Sequence, residues 1–214
     1  AFLSVNSADR RAGQSAATGQ ALMQSQRLAK SVSQALIGRA PAFDEVSESS
    51  KVLASNVRGL ANGDDELDLK AVSGSVQETL APLLPLVDRA EKNAKFVLGQ
   101  KQTLTQVSQA LREVNTQSSE LLDLAESITL TRVESGNLTA AEAQALSQLV
   151  MLTQRIGKSA NEFLTVEGVS TEAVFLLGKD LNSFKDTAQG LLKGSADLKL
   201  SPARNPEVRE QLEA

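Results

Sequence analysis

The chain has 214 residues, 41% of them apolar and 22% charged, with a net charge of −4, so it can bury a core and does not read as disordered. It holds no His, Cys, Trp or Tyr, which removes the routine metal ligands, a thiol nucleophile and a His-based triad. Six Phe as the sole aromatics and a pI near 5.1 argue against a stacking platform or a nucleic-acid surface, so the expectation is a helical binding or signalling module, with no enzymatic role, cofactor, metal or nucleic-acid partner.

The chain opens on AFLSVNSADRR and closes on PEVREQLEA, with neither a signal-peptide pattern nor an apolar run long enough to span a bilayer. It reads as a soluble piece of a longer protein. Helical periodicity sets in at once. Val5, Ala8, Ala12, Ser15, Gly19, Leu22, Gln26, Ala29, Ser33 and Leu36 step by threes and fours, a coiled-coil-like seam made of small and polar side chains. Pro41, after Gly38, is expected to end this helix. A second seam follows in Val46, Ser50, Leu53, Val57 and Leu60, closed by the ANGDD turn at Ala61 to Asp65.

A third helix is expected from Leu69 to about Val97, kinked or broken near Pro82 and Pro85. The clearest helix runs from about Gln100 to Glu134, with the seam Leu104, Val107, Leu111, Val114, Ser118, Leu121, Ala125 and Ile128. At 1.5 Å per residue it would be roughly 50 Å long. Thr139 and Glu142 form a capping-box pattern that starts the next helix, to about Leu164. After GVST comes a helix with the seam Val174, Leu177, Leu181, Phe184, Ala188 and Leu191, for which Thr171 is the expected N-cap. A last helix begins at Pro206, a favoured first-turn residue.

One segment occurs twice. MQSQRLAKS (Met23 to Ser31) returns as MLTQRIGKS (Met151 to Ser159), offset by 128 residues. Gly59, Leu60 and Gly63 match Gly190, Leu191 and Gly194 at 131; Val76, Glu78 and Leu80 match Val208, Glu210 and Leu212 at 132. Three matches in the same order indicate a duplicated set of helices whose second copy is incomplete.

The repeated box is chemically unusual. Met23, Gln26, Arg27 and Lys30, with Met151, Gln154, Arg155 and Lys158, are the candidate ligand-binding or signalling residues. Gln26 and Gln154 are expected on the seam, where a buried amide needs a partner. Arg27 and Lys30 supply two cations with no acid between them, and an Arg fork suits a carboxylate or another anion. The structural alternative stays open: Gln26 bridging helices and Arg27 pairing with an acid such as Glu78 or Glu113. Gly19, Ala29 and Gly157 would permit close helix approach, and Phe163, Phe175 and Phe184 would lie in the core. The DDELD run at Asp64 to Asp68 lacks calcium-loop spacing and reads as a solvated turn.

The two boxes resemble the signature of the PilJ family, the sensor domain of type IV pilus methyl-accepting chemotaxis transducers, whose segment reads approximately RMLSQR-apolar-AK. The matching residues are Met23, Ser25, Gln26, Arg27, Leu28, Ala29 and Lys30, and again Met151, Thr153, Gln154, Arg155, Ile156 and Lys158. The box is also similar to that of NarX-type nitrate sensors. There an Arg before the Met contacts the anion; Leu22 and Val150 stand at that place here, so nitrate recognition is not carried over.

The resemblance implies a periplasmic ligand-sensing domain of an inner-membrane receptor controlling pilus motility through a histidine-kinase pathway. It also implies a homodimer in the full-length receptor, a pilin or small-molecule ligand, and kinase and adaptor contacts outside this chain. The expected fold is all-α, an elongated up-and-down helical bundle of tandem four-helix-type units: residues 1–134 and a truncated unit at 140–214. A structural or secreted coiled-coil rod is the alternative.

Overall fold

The computed structural model describes residues 2–165 and 170–214, with side chains from residue 7 onward. The side chain of Val5, and Gly168 and Val169 of the GVST turn, lie outside the described residues. The described chain forms α1 (Phe2–Leu36), α2 (Ala40–Asn62), α3 (Ser75–Leu80), α4 (Leu83–Gly99), α5 (Lys101–Glu134), α6 (Ala140–Thr165), α7 (Thr171–Lys193) and α8 (Pro206–Glu213). Two isolated antiparallel bridges, Asp64 with Leu69 and Ser195 with Leu200, are the only extended pairings among the described residues. The fold is all-α, as expected. It divides into two compact units, residues 1–108 and 109–214, the division falling inside α5.

In the first unit a short turn folds α2 back along α1, and α4 packs on α2. Gly38 makes that turn at φ +77, where a Cβ would lie 2.4 Å from the Leu104 carbonyl oxygen and from the Ser108 Cβ of α5. Pro41 does not close α1; it opens α2, in the first turn, where a missing N–H costs nothing. The α2 seam is as read: Val46, Ser50, Leu53, Val57 and Leu60 are all buried, with Phe43 beside them.

The α1 seam is corrected. Buried are Ala17, Gln24, Leu28, Ser31 and Ala35; Gly19, Leu22, Gln26, Ala29 and Leu36 face outward. Both stripes are built from small and polar residues, so composition does not choose between them; packing against α2 does. The start of the third helix is corrected as well, while its break at the prolines is as expected. Residues 69–74 form a loop, and the helical stretch begins at Ser75 and breaks at Ala81 and Pro82, since Pro82 lacks the N–H needed to continue. In α5, Val107 is exposed and Ser108 is the buried neighbour.

The second unit gathers Ala125 and Ile128 of α5, Ala145, Leu146 and Leu149 of α6, Leu191 of α7, Leu200 and Val208 into one core. Its capping box is present: the Thr139 N–H donates to Glu142 Oε2 at 3.0 Å and the Glu142 N–H to Thr139 Oγ1 at 3.1 Å. Ser170, rather than Thr171, caps α7, accepting from the Ala173 N–H at 3.1 Å. Along α7, Phe184, Ala188 and Leu191 pack inward, whereas Val174 and Leu181 are exposed. Phe175 is exposed and Phe163 half-buried, so only Phe184 of that trio joins the core.

Candidate functional site

The loops after α2 and α7 share one backbone. Gly63 and Gly194 sit at φ +84 and +85 with ψ 153 and 155, and each donates its N–H to the carbonyl four residues earlier, Gly59 or Gly190. Asp64 and Leu69 exchange backbone hydrogen bonds at 2.9 and 2.8 Å; Ser195 and Leu200 do the same at 2.9 and 2.8 Å. Asp68 and Lys199 both adopt positive φ, 50° and 56°. The Asp64 carboxylate and the Ser195 hydroxyl accept from the N–H of Leu67 and of Leu198. The DDELD run is thus a hydrogen-bonded turn, and among the described residues no three acids converge as metal ligands.

The sequence-selected residues of the boxes lie mostly on outer faces. Met23 and Met151 are about half-exposed, and Gln26, Lys30, Gln154 and Lys158 are exposed. The buried amide is Gln24, not Gln26; Leu152 occupies the matching place in the second box. Arg27 pairs with Glu48 at 3.4 Å, not with Glu78 or Glu113, and both partners face solvent. Arg155 donates to Asp180 Oδ1 at 2.8 Å, and Asp180 is buried. Lys158 forms a long contact, 3.9 Å, with Glu162 one turn on. Each arginine therefore ties its helix to the following one, Arg27 at the surface and Arg155 over a buried carboxylate. Gly157 meets α5 closely: a Cβ there would lie 2.8 Å from the Ser118 Cβ. Gly19 has no neighbour within 4 Å, and Ala29 is exposed, so neither serves helix approach inside the first unit.

Of the first box only Ser25 lines a cleft; Met23, Gln26, Arg27 and Lys30 do not. Leu22 and Ser25 of α1, Leu53, Val57 and Leu60 of α2, Val72 of the loop, and α3 with the start of α4 enclose about 610 Å³. Leu53, Val57, Leu60, Val72 and Val87 are its buried floor; Leu22, Val76, Leu83 and Leu86 form an exposed apolar rim. Sequence periodicity missed this feature because its residues come from four helices and a loop, and its rim positions look like ordinary exposed leucines and valines. The one available signal was the unused apolar content of APLLPLV.

Ion pairs hold the frame. Arg58 of α2 donates to Glu91 and, at 2.7 Å, to Asp88 of α4, and these hydrogen bonds hold its guanidinium protonated far above its ordinary range. This joins the two helices that supply Val57, Leu60, Val87 and Ala90 to the cleft. Gln14 reaches from α1 to the loop, donating to the Lys70 carbonyl at 2.9 Å. In the second unit, partial burial pushes the Glu142 carboxyl up. The Thr139 N–H and the Arg132 guanidinium, 2.8 Å away, outweigh it, and the net shift is downward.

The described helices form an all-α fold whose first unit carries an apolar cleft. Residues 3–112 match the family described as type IV pili methyl-accepting chemotaxis transducer N-term, more than half of the chain, and the chain belongs to that family. A relative, Protein PilJ of Pseudomonas aeruginosa, is 24% identical over 194 residues, which cover 91% of this chain. The match spans 28% of that relative's length. Among the described residues no helix is long and apolar enough to cross a membrane.

Proposed function

We propose that the chain is the periplasmic sensory region of a type IV pilus chemotaxis transducer, and that its input site is the cleft of the first unit. The observation that carries this reading is that the cleft lies within the family-matching segment and takes one wall from α1 at the start of the first repeated box, through Leu22 just before it and Ser25 within it. Occupation of the cleft would alter how α3 and α4 rest on α1 and α2. A receptor needs such a two-state element if binding is to bias its output. Signal then passes to kinase and adaptor proteins through parts of the receptor outside this chain. In the full-length protein the outward stripe of α1, with Ala12, Gly19, Gln26 and Ala29, faces a second copy in a homodimer.

The direct test replaces residues 1–214 within the full-length receptor by an unrelated helical bundle, with membrane insertion and abundance verified. The expected result is loss of regulated pilus motility. Motility that keeps its normal regulation would overturn the reading. Cysteines placed along the outward stripe should crosslink symmetrically in the full-length receptor; failure at every position would count against the dimer.

A further inference from the structure

The cleft also specifies the chemistry of what enters it, an argument that rests on its role as the input site only for biological meaning. Among the described residues lining it there is no charged side chain, and its polar groups are the hydroxyls of Thr18, Ser25 and Thr79. Each hydroxyl already spends its proton on its own helix: Thr18 on the Gln14 carbonyl at 2.8 Å, Ser25 on Leu22 at 2.7 Å, Thr79 on Ser75 at 2.9 Å. What remains on each is lone pairs. The cleft can therefore accept hydrogen bonds and has no donor to offer a carboxylate, nitrate or phosphate. An anion entering it would lose its hydration with nothing in return.

Size narrows the occupant further. About 610 Å³ lies within the range of small-molecule sites. One turn of helix with its side chains, about 10 Å across and 5.4 Å long, fills roughly 420 Å³. Helix-in-groove recognition uses anchors over two turns or more, roughly twice that volume, so the cleft matches a small molecule better than a partner helix or a second copy of α1. The second unit supplies a contrast. Val208 of α8, the counterpart of Val76, is 2% exposed where Val76 is 56% exposed. The apolar residue of this repeated position is covered by its own unit in one copy and uncovered in the other.

We propose that the cleft binds a small, uncharged, hydrocarbon-rich molecule carrying an O–H or N–H donor. The test uses the 214-residue chain and two fluorescent probes that differ by one charge: N-phenyl-1-naphthylamine, neutral with an N–H, and its sulfonated analogue 1-anilinonaphthalene-8-sulfonate. The neutral probe should bind saturably and be displaced by 1-decanol but not by decanoate. Val76→Glu and Leu86→Glu, both at exposed rim positions and so without consequence for folding, should each weaken binding by about tenfold or more.

Equal binding of both probes, or neutral-probe binding untouched by either substitution, would overturn the proposal. So would a concentration-dependent dimer, seen by sedimentation, that Val76→Glu abolishes and that excludes the probe. The sensory reading fails separately: selective binding by the chain, with receptor output indifferent to 1-decanol and to both substitutions, leaves the ligand chemistry standing and removes the role.

Discussion

Arg27 and Arg155 occupy the same place in the two boxes yet carry different consequences for stability. Arg27 meets Glu48 at the surface, an arrangement worth about 0–1 kcal/mol. Arg155 covers the buried Asp180, so its removal leaves a carboxylate without its partner. Arg155→Ala should cost about 2–3 kcal/mol and Arg27→Ala less than about 1 kcal/mol, measured by urea unfolding of the chain. Equal costs would contradict the difference in burial. Gly157→Ala should destabilise by about 1 kcal/mol, because overpacking against Ser118 exceeds the helix-propensity gain of Ala. A double-mutant cycle with Ser118→Gly should show favourable coupling; additivity would place the strain elsewhere. Sequence reading recovered such positions unevenly. Gly157 was legible as a close approach, whereas Gln24 was not, because Gln24 and Gln26 sit on two stripes of α1 with nearly the same composition. In α2 the apolar stripe has no competitor, and its seam was read residue for residue.

At the scale of elements, the repeated loop and the capping box behave as local machines. Gly63 and Gly194 hold a positive-φ, extended-ψ conformation that other residues adopt only under strain. Gly63→Ala and Gly194→Ala should each cost about 1–3 kcal/mol, and Gly194→Ala the more, since a Cβ there lies 2.9 Å from the Pro202 ring. Thermal melts of the two variants check the magnitude and the order. The loops were half legible: the paired glycines gave the repeat, but the bridge that follows them depends on Leu67 and Leu69, and Leu198 and Leu200, which carry no turn signature.

Glu142 links the α6 cap to pH. Its folded pKa lies below the ordinary glutamate value of 4.5, so the carboxylate contributes stability above about 4.5 that is lost as pH falls through the folded value. The stability difference between the native chain and Glu142→Gln should therefore be greatest near about pH 6 and shrink towards about pH 3. A difference that grows on acidification would contradict the assignment. α3 differs in kind from the other helices. It spans six residues, buries none of them and has no side-chain N-cap. Its amides should exchange fastest among the helices that line the cleft, and slow when the neutral naphthylamine probe is bound.

For the molecule as a whole, two units share a loop geometry and differ in what they leave open. The first unit carries the family match and the uncovered apolar cleft; the second buries the equivalent valine under its own core. The division between the compact units falls after Ser108, within the residues of α5. The tandem division of the sequence at 1–134 and 140–214 stands beside this as a proposal about duplication. Fold class was legible from periodicity alone, since helical seams recur from end to end. The cleft was not, because it depends on α3 starting at Ser75 after a loop instead of continuing a single helix from Leu69. The measurement closest to the central claim is pilus-dependent motility of cells whose full-length receptor carries Val76→Glu or Leu86→Glu at normal abundance. Altered, stimulus-insensitive motility is expected, with an unchanged melting temperature of the isolated chain. Normal, stimulus-responsive motility in both variants would contradict it.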